Sequence, residues 1–254
     1  GTPDALEFAF EADRPPPAHL WTSTYGVERP YQDVTHDIGI LDSEFSGEWG
    51  RLEAAYAIQI NRRQEYEQVR SNITRAQYDF TLRTHSLDVH YQHPTVQPSI
   101  GTLDGGLGIQ GTFQENVYNG FPLIPNFRSF SGGIFAYERL SFERVDLEAG
   151  ARLDALSRAA YMRELDHQAH MRRGTLDEED CTDNGEKFRC GASYIASSFS
   201  VGTLAHIVPK RLDIKLDLST ATRFPNVDEL YILGYAPTAP VYASGYPSLE
   251  LSLI

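Results

Sequence analysis

The sequence predicts an all-β protein made of long antiparallel strands, each with one apolar and one polar face. Three observations support this fold class. Apolar and polar residues alternate with a period of two, the alternating runs extend over about nine to twelve residues, and short connections alternate with long ones. A helix would scatter both sets of residues around its circumference, so the pattern predicts about ten strands and no helix.

Two segments show the alternation most clearly. Between residues 146 and 155, Leu147, Leu153 and three alanines alternate with polar residues that include Glu148 and Arg152. Between residues 211 and 222, leucine and isoleucine alternate with charged residues in the same way. Further strands are expected over residues 36–45, 51–61, 77–83, 87–92, 103–114, 133–142 and 193–207. With the two segments above, these make nine predicted strands.

Strand length and mid-strand charge favour a transmembrane β-barrel segment. Globular strands usually have about five or six residues, whereas a tilted strand needs about nine to eleven to cross a bilayer. Glu148 with Arg152, and Lys215 with Asp217, place charges in the middle of strands, which suits a wide hydrated lumen. The apolar faces would then contact lipid. A soluble, secreted β-sandwich that binds carbohydrate or protein is the alternative, and it would need shorter strands.

The connections also follow the pattern of an outer-membrane barrel. Tight turns are expected at residues 84–86 and 208–210. Long polar or Pro/Gly-rich connections cover residues 115–131, 157–191 and 223–249. Short turns at one end and long loops at the other are typical of such barrels.

Composition excludes one class of partner. The 254 residues carry a formal net charge of -13, which argues against a nucleic-acid binder because phosphate neutralisation requires clustered Lys and Arg. Nowhere does the sequence contain the roughly 18 consecutive apolar residues of a membrane-spanning helix. The mean hydropathy of -0.38 fits either a soluble chain or barrel strands, whose polar faces offset the apolar ones.

The two cysteines, Cys181 and Cys190, lie in one polar segment around an Asn-Gly pair. Their spacing predicts a small disulfide-closed loop and therefore an oxidising compartment. The alternative is a pair of unpaired surface thiols. Because the chain has no CxxC pair, a structural zinc site has little support.

A candidate metal site lies in the loop over residues 164–170. Asp166, His167 and His170 supply carboxylate and imidazole ligands that would suit zinc or another divalent cation. The alternative is a solvated acidic loop with incidental histidines, since no strand or helix fixes the ligand spacing.

No catalytic residue and no bound cofactor are expected. His85, His90 and His93 lie on or beside one predicted hairpin, with His90 on the lumen face, hydrated or paired with Asp88 or Gln92. A nucleophile elbow and an ordered Ser/His/Asp set are both absent from the sequence. An outer-membrane barrel enzyme, a further alternative, would need such a constellation on the lumen face.

One segment resembles a hallmark of TonB-dependent receptors. Residues 223–230 read R-x-P-N-x-x-E-L, with Arg223, Pro225, Asn226, Glu229 and Leu230 at the motif positions. Residues 147–154 resemble the strand "leaGaRyD" of the same family, and the order and spacing match. Weaker similarities are found at residues 59–66 (Q-x-N-x-R-x-E), 122–127 (the "LIP" loop) and 245–250 (G-N-P-x-L-x-x-E).

The match has three departures from the family pattern. Leu153 stands where the family has an aromatic residue, which is a mild change at a lipid-facing position. Tyr246 replaces the expected Asn, and Ser252 stands where an acidic residue is expected. The last of the similar segments is therefore degraded or specific to a subgroup.

The resemblance implies a location and a function. Residues 1–254 would form the middle-to-late part of a barrel of about 22 strands in a Gram-negative outer membrane, in contact with its lipid. The receptor would import a scarce nutrient, such as a ferric siderophore, a metal ion or cobalamin. A TonB complex would act on a plug domain that has no counterpart in this sequence. Pro225 and Asn226 would turn the chain out of a strand, and Arg223 would pair with a lumen carboxylate such as Asp217.

Overall fold

The computed structural model describes residues 29–66, 75–208, 211–235 and 242–253. Most of them form one antiparallel sheet of nine strands. Its strands are β1 (Tyr31–Gly47), β2 (Gly50–Tyr66), β3 (Tyr78–Gln92), β4 (Thr102–Tyr118), β5 (Asn126–Ser141), β6 (Val145–Met162), β7 (Cys181–Asp183), β8 (Phe188–Val208) and β9 (Leu212–Thr220). Consecutive strands pair from β1 to β6, and β8 follows β6, with β7 and β9 along its other edge. The predicted antiparallel all-β fold is confirmed.

Short elements follow the sheet or interrupt it. They are α1 (Glu164–Arg172), a 3-10 turn (Glu178–Asp180), β10 (Thr222–Arg223), α2 (Val227–Tyr231), β11 (Leu233–Tyr235), β12 (Tyr242–Ser244) and β13 (Ser252–Leu253). The expectation of no helix is therefore wrong. Because α1 buries only two histidines and α2 has five residues, neither leaves an apolar helical period in the sequence. Neither helix of the described chain is long and apolar enough to cross a membrane.

The strands are longer than their alternation predicts. β3 has 15 residues and β8 has 21, against the expected nine to twelve. As a result the connections are shorter, and the predicted loop over residues 115–131 shrinks to residues 119–125 between β4 and β5. The strands continue past the region where apolar and polar residues alternate strictly.

The predicted tight turn at residues 84–86 is wrong, because β3 runs through it without a break. The sequence resembles a turn at this point because the apolar residues change there from one face of the strand to the other. Phe80 and Leu82 lie on one side of β3, whereas Leu87 and Val89 lie on the other. The turn predicted at 208–210 falls partly on Pro209 and Lys210, which lie outside the described residues; β8 ends at Val208 and β9 begins at Leu212.

The sheet has two chemically distinct faces, because directly paired residues point to the same side. We call one the outer face; on β6 it carries the odd-numbered residues from Leu147 to Tyr161. The lumen face carries the even-numbered residues from Asp146 to Met162. Leu147 and Leu153 are exposed on the outer face, while Asp146 and Arg158 are buried on the lumen face. The predicted division into an apolar and a polar face is confirmed.

Connections lie alternately at two ends of the sheet. At the turn end, two residues join β1 to β2, three residues join β5 to β6, and residues 93–101 join β3 to β4. The loop end carries the longest connection of the sheet, residues 163–187, and a packed apolar core that contacts the strands at that end. Its members are Phe127, Ala160, Met162, Leu176, Cys190, Val227, Leu230 and Tyr231. The long connections are thus packed structure.

Candidate functional site

The motif at residues 223–230 folds into a clamp at the loop end. Asn226 is the N-cap of α2, and its backbone N–H donates to Glu229 Oε2 at 2.7 Å. Arg223 donates to both oxygens of Glu229, each at 2.9 Å. The Arg223 hydrogen bonds hold the pKa of Glu229 below its usual value. The expected pairing of Arg223 with Asp217 is wrong, because Asp217 lies 3.4 Å from Lys215 Nζ and the capped helix brings Glu229 to Arg223 first.

Arg158 fastens this clamp to the sheet. Its Nη1 donates to the Pro225 carbonyl at 2.8 Å, and the residue is 7% exposed. Its buried Nε has no hydrogen-bond partner among the described residues. Arg158 was not predicted, because the predicted strand ends at residue 155, where the strict alternation of apolar and polar residues stops. β6 continues to Met162, and its last four residues, 159–162, are apolar on both faces, so no alternation marks Arg158 in the sequence.

The middle of the lumen face carries a polar network centred on Arg152. Its guanidinium donates to Asp154 at 2.6 and 2.7 Å and to Gln110 Oε1 at 2.6 Å, and it lies 5.6 Å from the Phe135 ring. Gln110 in turn donates to Asp88. The network therefore links β3, β4 and β6 through charge-assisted hydrogen bonds. Its members project into the space that the lumen face borders.

Two clefts open on this face. The first, of about 450 Å³, lies over the Arg152 network and is bounded on the loop side by Phe224. The second, of about 360 Å³, lies nearer the loop end, between Arg63 and Arg158 on the polar side and Phe80 and Phe127 on the apolar side. Both combine apolar walls with charged side chains.

His90 lies on the lumen face, as predicted. Its partners differ from the expected Asp88 and Gln92; Asp88 instead accepts a hydrogen bond from Gln110. The Tyr137 hydroxyl lies 3.0 Å from His90 Nε2, and Glu53 Oε2 lies 3.5 Å from His90 Nδ1. Both partners come from other strands of the sheet, so His90 is part of a cross-strand network.

The three predicted metal ligands lie on α1 without converging. Asp166 accepts hydrogen bonds from Arg163, the nearer at 2.9 Å. His167 stacks on an aromatic ring of β8 at 4.0 Å, and His170 Nδ1 lies 3.0 Å from the Thr175 hydroxyl. Burial lowers the pKa of both histidines, which favours the neutral imidazole. Across the described parts of the chain, no group of three His, Cys, Asp or Glu side chains is placed to hold a metal ion.

Cys181 and Cys190 are joined by a disulfide. They are directly opposite each other where β7 pairs with β8, and Cys190 is fully buried in the loop-end core. The bond ties the connection that contains α1 to the longest strand of the sheet. The loop end is thereby held by a covalent link as well as by apolar packing.

Long two-faced strands, a polar lumen face and a packed loop end define the chain as a segment of a large β-barrel. Solved structures of receptors and transporters have the same fold. The Serratia marcescens hemophore receptor HasR, solved as a double mutant with its hemophore HasA and heme, matches with a TM-score of 0.67 at 12% identity. The match covers 89% of this chain and 36% of HasR. The copper transporter OprC matches with a TM-score of 0.53 at 15% identity, over 87% of this chain and 35% of OprC.

These matches define the fold. The chain has the fold of part of a TonB-dependent receptor barrel, as its motifs predict, and it spans about a third of the length of the solved structures that it matches. No protein family and no curated protein matches the chain by sequence.

Proposed function

We propose that this chain is the barrel wall of an outer-membrane receptor that imports a scarce nutrient, such as a ferric siderophore or a metal ion. The observation that carries the proposal is a band without charged side chains on the outer face of β3 to β5. Charged rows bound this band on both sides, and its height matches the apolar layer of an outer membrane.

The height follows from β5. Arg128 and Glu138 both lie on its outer face, with Phe130, Gly132, Ile134 and Ala136 between them. Ten residues at about 3.4 Å each span about 34 Å along the strand. A strand tilt of about 40° reduces this to about 26 Å of height, close to the apolar band of about 25 Å around outer-membrane barrels.

The charged rows that bound the band continue onto the strands beside β5. Arg83 on β3 and Arg128 on β5 both contact Glu115 on β4, at 3.6 and 2.8 Å, which makes the upper boundary continuous. At the lower boundary, His93 Nε2 lies 3.2 Å from Glu138 Oε2. Within the band on β3, the outer face carries two side chains with polar atoms, His85 and Tyr91. His85 Nδ1 lies 2.7 Å from a tyrosine hydroxyl of β2, and the Tyr91 hydroxyl donates to the Trp49 carbonyl at 2.6 Å. Both side chains therefore have a hydrogen-bond partner within the protein.

The lumen face supports passage or binding of a polar solute. Charged side chains line it from the turn end to the loop end, and both clefts open on it. HasR was solved with heme and a hemophore, and OprC is a copper transporter. A metal-bearing or metal-chelating nutrient is the corresponding cargo for this chain. Energy would come from a TonB complex acting on a plug domain outside this sequence.

A soluble β-sandwich is disfavoured by the outer face. Leu216 and Leu218 on β9 and Ile134 on β5 are more than half exposed, and their neighbours on the same face are also apolar. Soluble monomers rarely expose contiguous apolar surface on this scale. In a membrane the outer face contacts lipid hydrocarbon, so no apolar surface is exposed to water there.

The test uses the full-length gene product, expressed with its native signal. Outer membranes are extracted with detergent, and the protein is run on a gel with and without boiling. A change in mobility on boiling, in the outer-membrane fraction, is expected for a closed barrel, and growth under metal or siderophore limitation then identifies the cargo. A soluble product whose mobility does not change on boiling contradicts the proposal.

A further inference from the structure

We propose that the outer face carries a binding site for a phosphorylated glycolipid of the outer leaflet, formed by Arg83 and Arg128. The site rests on the proposed function for its orientation, since long loops mark the extracellular side of outer-membrane barrels. It points away from the lumen, so it is separate from any cargo site. Its ligand is a structural lipid of the membrane itself.

Three charged residues form one row across three strands. Arg83 pairs in register with Glu115, and Glu115 pairs with Arg128. Arg83 Nη1 lies 3.6 Å from Glu115 Oε2, and Arg128 Nε donates to Glu115 Oε1 at 2.8 Å. The Glu115 side chain is only 22% exposed, whereas those of Arg83 and Arg128 are 53% and 62% exposed. One recessed carboxylate therefore holds two projecting guanidinium groups side by side.

The row has an excess of positive charge. Two guanidinium groups share one carboxylate, which leaves one net positive charge. These contacts engage one nitrogen of each group, whereas an arginine has five N–H donors. Arg62, farther up the outer face, differs because it donates to both oxygens of its own Asp79 at 3.2 and 3.3 Å. The shared carboxylate is thus the feature that leaves donors for an anion.

The apolar residues next to this row favour a lipid as the ligand. Phe113 and Phe130 are a register pair on the outer face, in the row directly below Glu115, and both are exposed. They are the last residues of the charge-free band, so acyl chains would contact them while the headgroup reaches Arg83 and Arg128. Guanidinium groups bind phosphate with two parallel hydrogen bonds, which a fixed pair at the polar edge of the band provides.

The composition of the outer leaflet indicates which class of lipid would bind. Its main component is a glycolipid that carries phosphate on its sugar headgroup, at the depth where apolar chains meet polar groups. Two phosphates on one headgroup would complement the two neighbouring guanidinium groups. A zwitterionic phospholipid would be held less well, because its own cation competes for the phosphate.

The test measures lipid retention by the purified full-length receptor in detergent. Native mass spectrometry counts bound bisphosphorylated lipid A, with enzymatically dephosphorylated lipid A as the comparison ligand. The unaltered receptor should retain the phosphorylated form at least about tenfold better, as expected for charge-assisted contacts worth at least about 1.4 kcal/mol. Equal retention of the two lipids overturns the proposal, and this comparison requires no variant.

A double variant locates the site. Arg83→Gln with Arg128→Gln should remove the preference for phosphate, while Lys215→Gln should retain it. Lys215 is a matched control because it is an exposed, ion-paired cation on the lumen face. Loss of the preference in the control as well, or its survival in the double variant, contradicts the site. A change in gel mobility on boiling shows separately whether each protein is a closed barrel. Failure of the proposed function is therefore distinguishable from failure of the proposed lipid site.

Discussion

The strands and the loop end of this chain are built on different principles. Along β6, residues from Leu147 to Ala155 obey a strict two-residue period, and each side chain faces either the lumen or the outer surface. At the loop end, Met162, Leu176 and Leu230 come from a strand, a loop and a helix, yet they pack into one core. The wall is stabilised by cross-strand hydrogen bonds, whereas the loop end depends on a few fully buried side chains and one disulfide. Changes at the two regions should therefore be separable.

The largest expected effect is that of Leu230→Ala. Leu230 is 0% exposed, and truncating a buried leucine costs about 3 kcal/mol. Hydrogen exchange of residues 224–231 in the full-length protein should accelerate accordingly, while exchange in the middle of β6 stays unchanged. Leu216→Ala is the control, since Leu216 lies on the outer face and is 60% exposed. Equal acceleration in β6 would show that the two regions are not separate.

Removing the disulfide should have the next largest effect. Replacing Cys181 and Cys190 together by serine releases a short closed loop, which costs about 2 kcal/mol in unfolded-state entropy. We expect faster proteolysis between residues 163 and 187 without loss of the mobility change on boiling. If the double variant no longer forms a heat-modifiable barrel, the disulfide is needed by the wall as well.

The helix cap provides a smaller test of the motif. Asn226→Ala removes the side chain that caps α2 and should cost about 1 kcal/mol in helix stability. Faster exchange should be confined to α2 and its contact with Arg158. The comparison variant is Asn116→Ala, which also removes an amide side chain, but from the lumen face of β4. An effect of Asn226→Ala that spreads along β6 would contradict a local role.

The smallest effect is expected from pH. Burial lowers the pKa of His170 below its ordinary value of 6.5. The stability contributed by the neutral form is therefore complete above about pH 6.5 and is lost as the pH falls toward the lower folded pKa. Between pH 7 and 5, the exchange of α1 should accelerate more than that of β3, and His170→Gln should reduce this difference. A pH response of the same size in the variant would exclude His170 as its source.

Much of the wall could be predicted from sequence because its period is local. Leu147 and Leu153 lie on one face in any register, so the strand and its apolar side follow from alternation alone. The strand ends could not be placed, because apolar residues lie on the lumen face there: Leu82 packs against the loop-end core and Phe80 lines the second cleft. Near the loop end the apolar residues of β3 therefore lie on the lumen face, whereas elsewhere they lie on the outer face. In the sequence, this change of face at residues 84–86 resembles a turn.

The loop end was less predictable because its contacts join distant parts of the chain. The motif residues were found by resemblance, but the partner of Arg223 depends on the cap of α2, which places Glu229 beside it. The candidate ligands on α1 looked available as a loop, whereas the helix directs His167 and His170 into packing. Arg83 and Arg128 are 45 residues apart in sequence, and only the strand register brings both to Glu115.

The claim that the outer face lies in lipid is tested most directly by two spin labels on β5 of the full-length protein. Ile134→Cys places a label in the middle of the charge-free band, and Ser131→Cys places one on the lumen face. In reconstituted membranes, the label at 134 should collide with dissolved oxygen and be shielded from a water-soluble nickel reagent. The label at 131 should show the opposite preference. Equal access of the nickel reagent to both labels would contradict the barrel account.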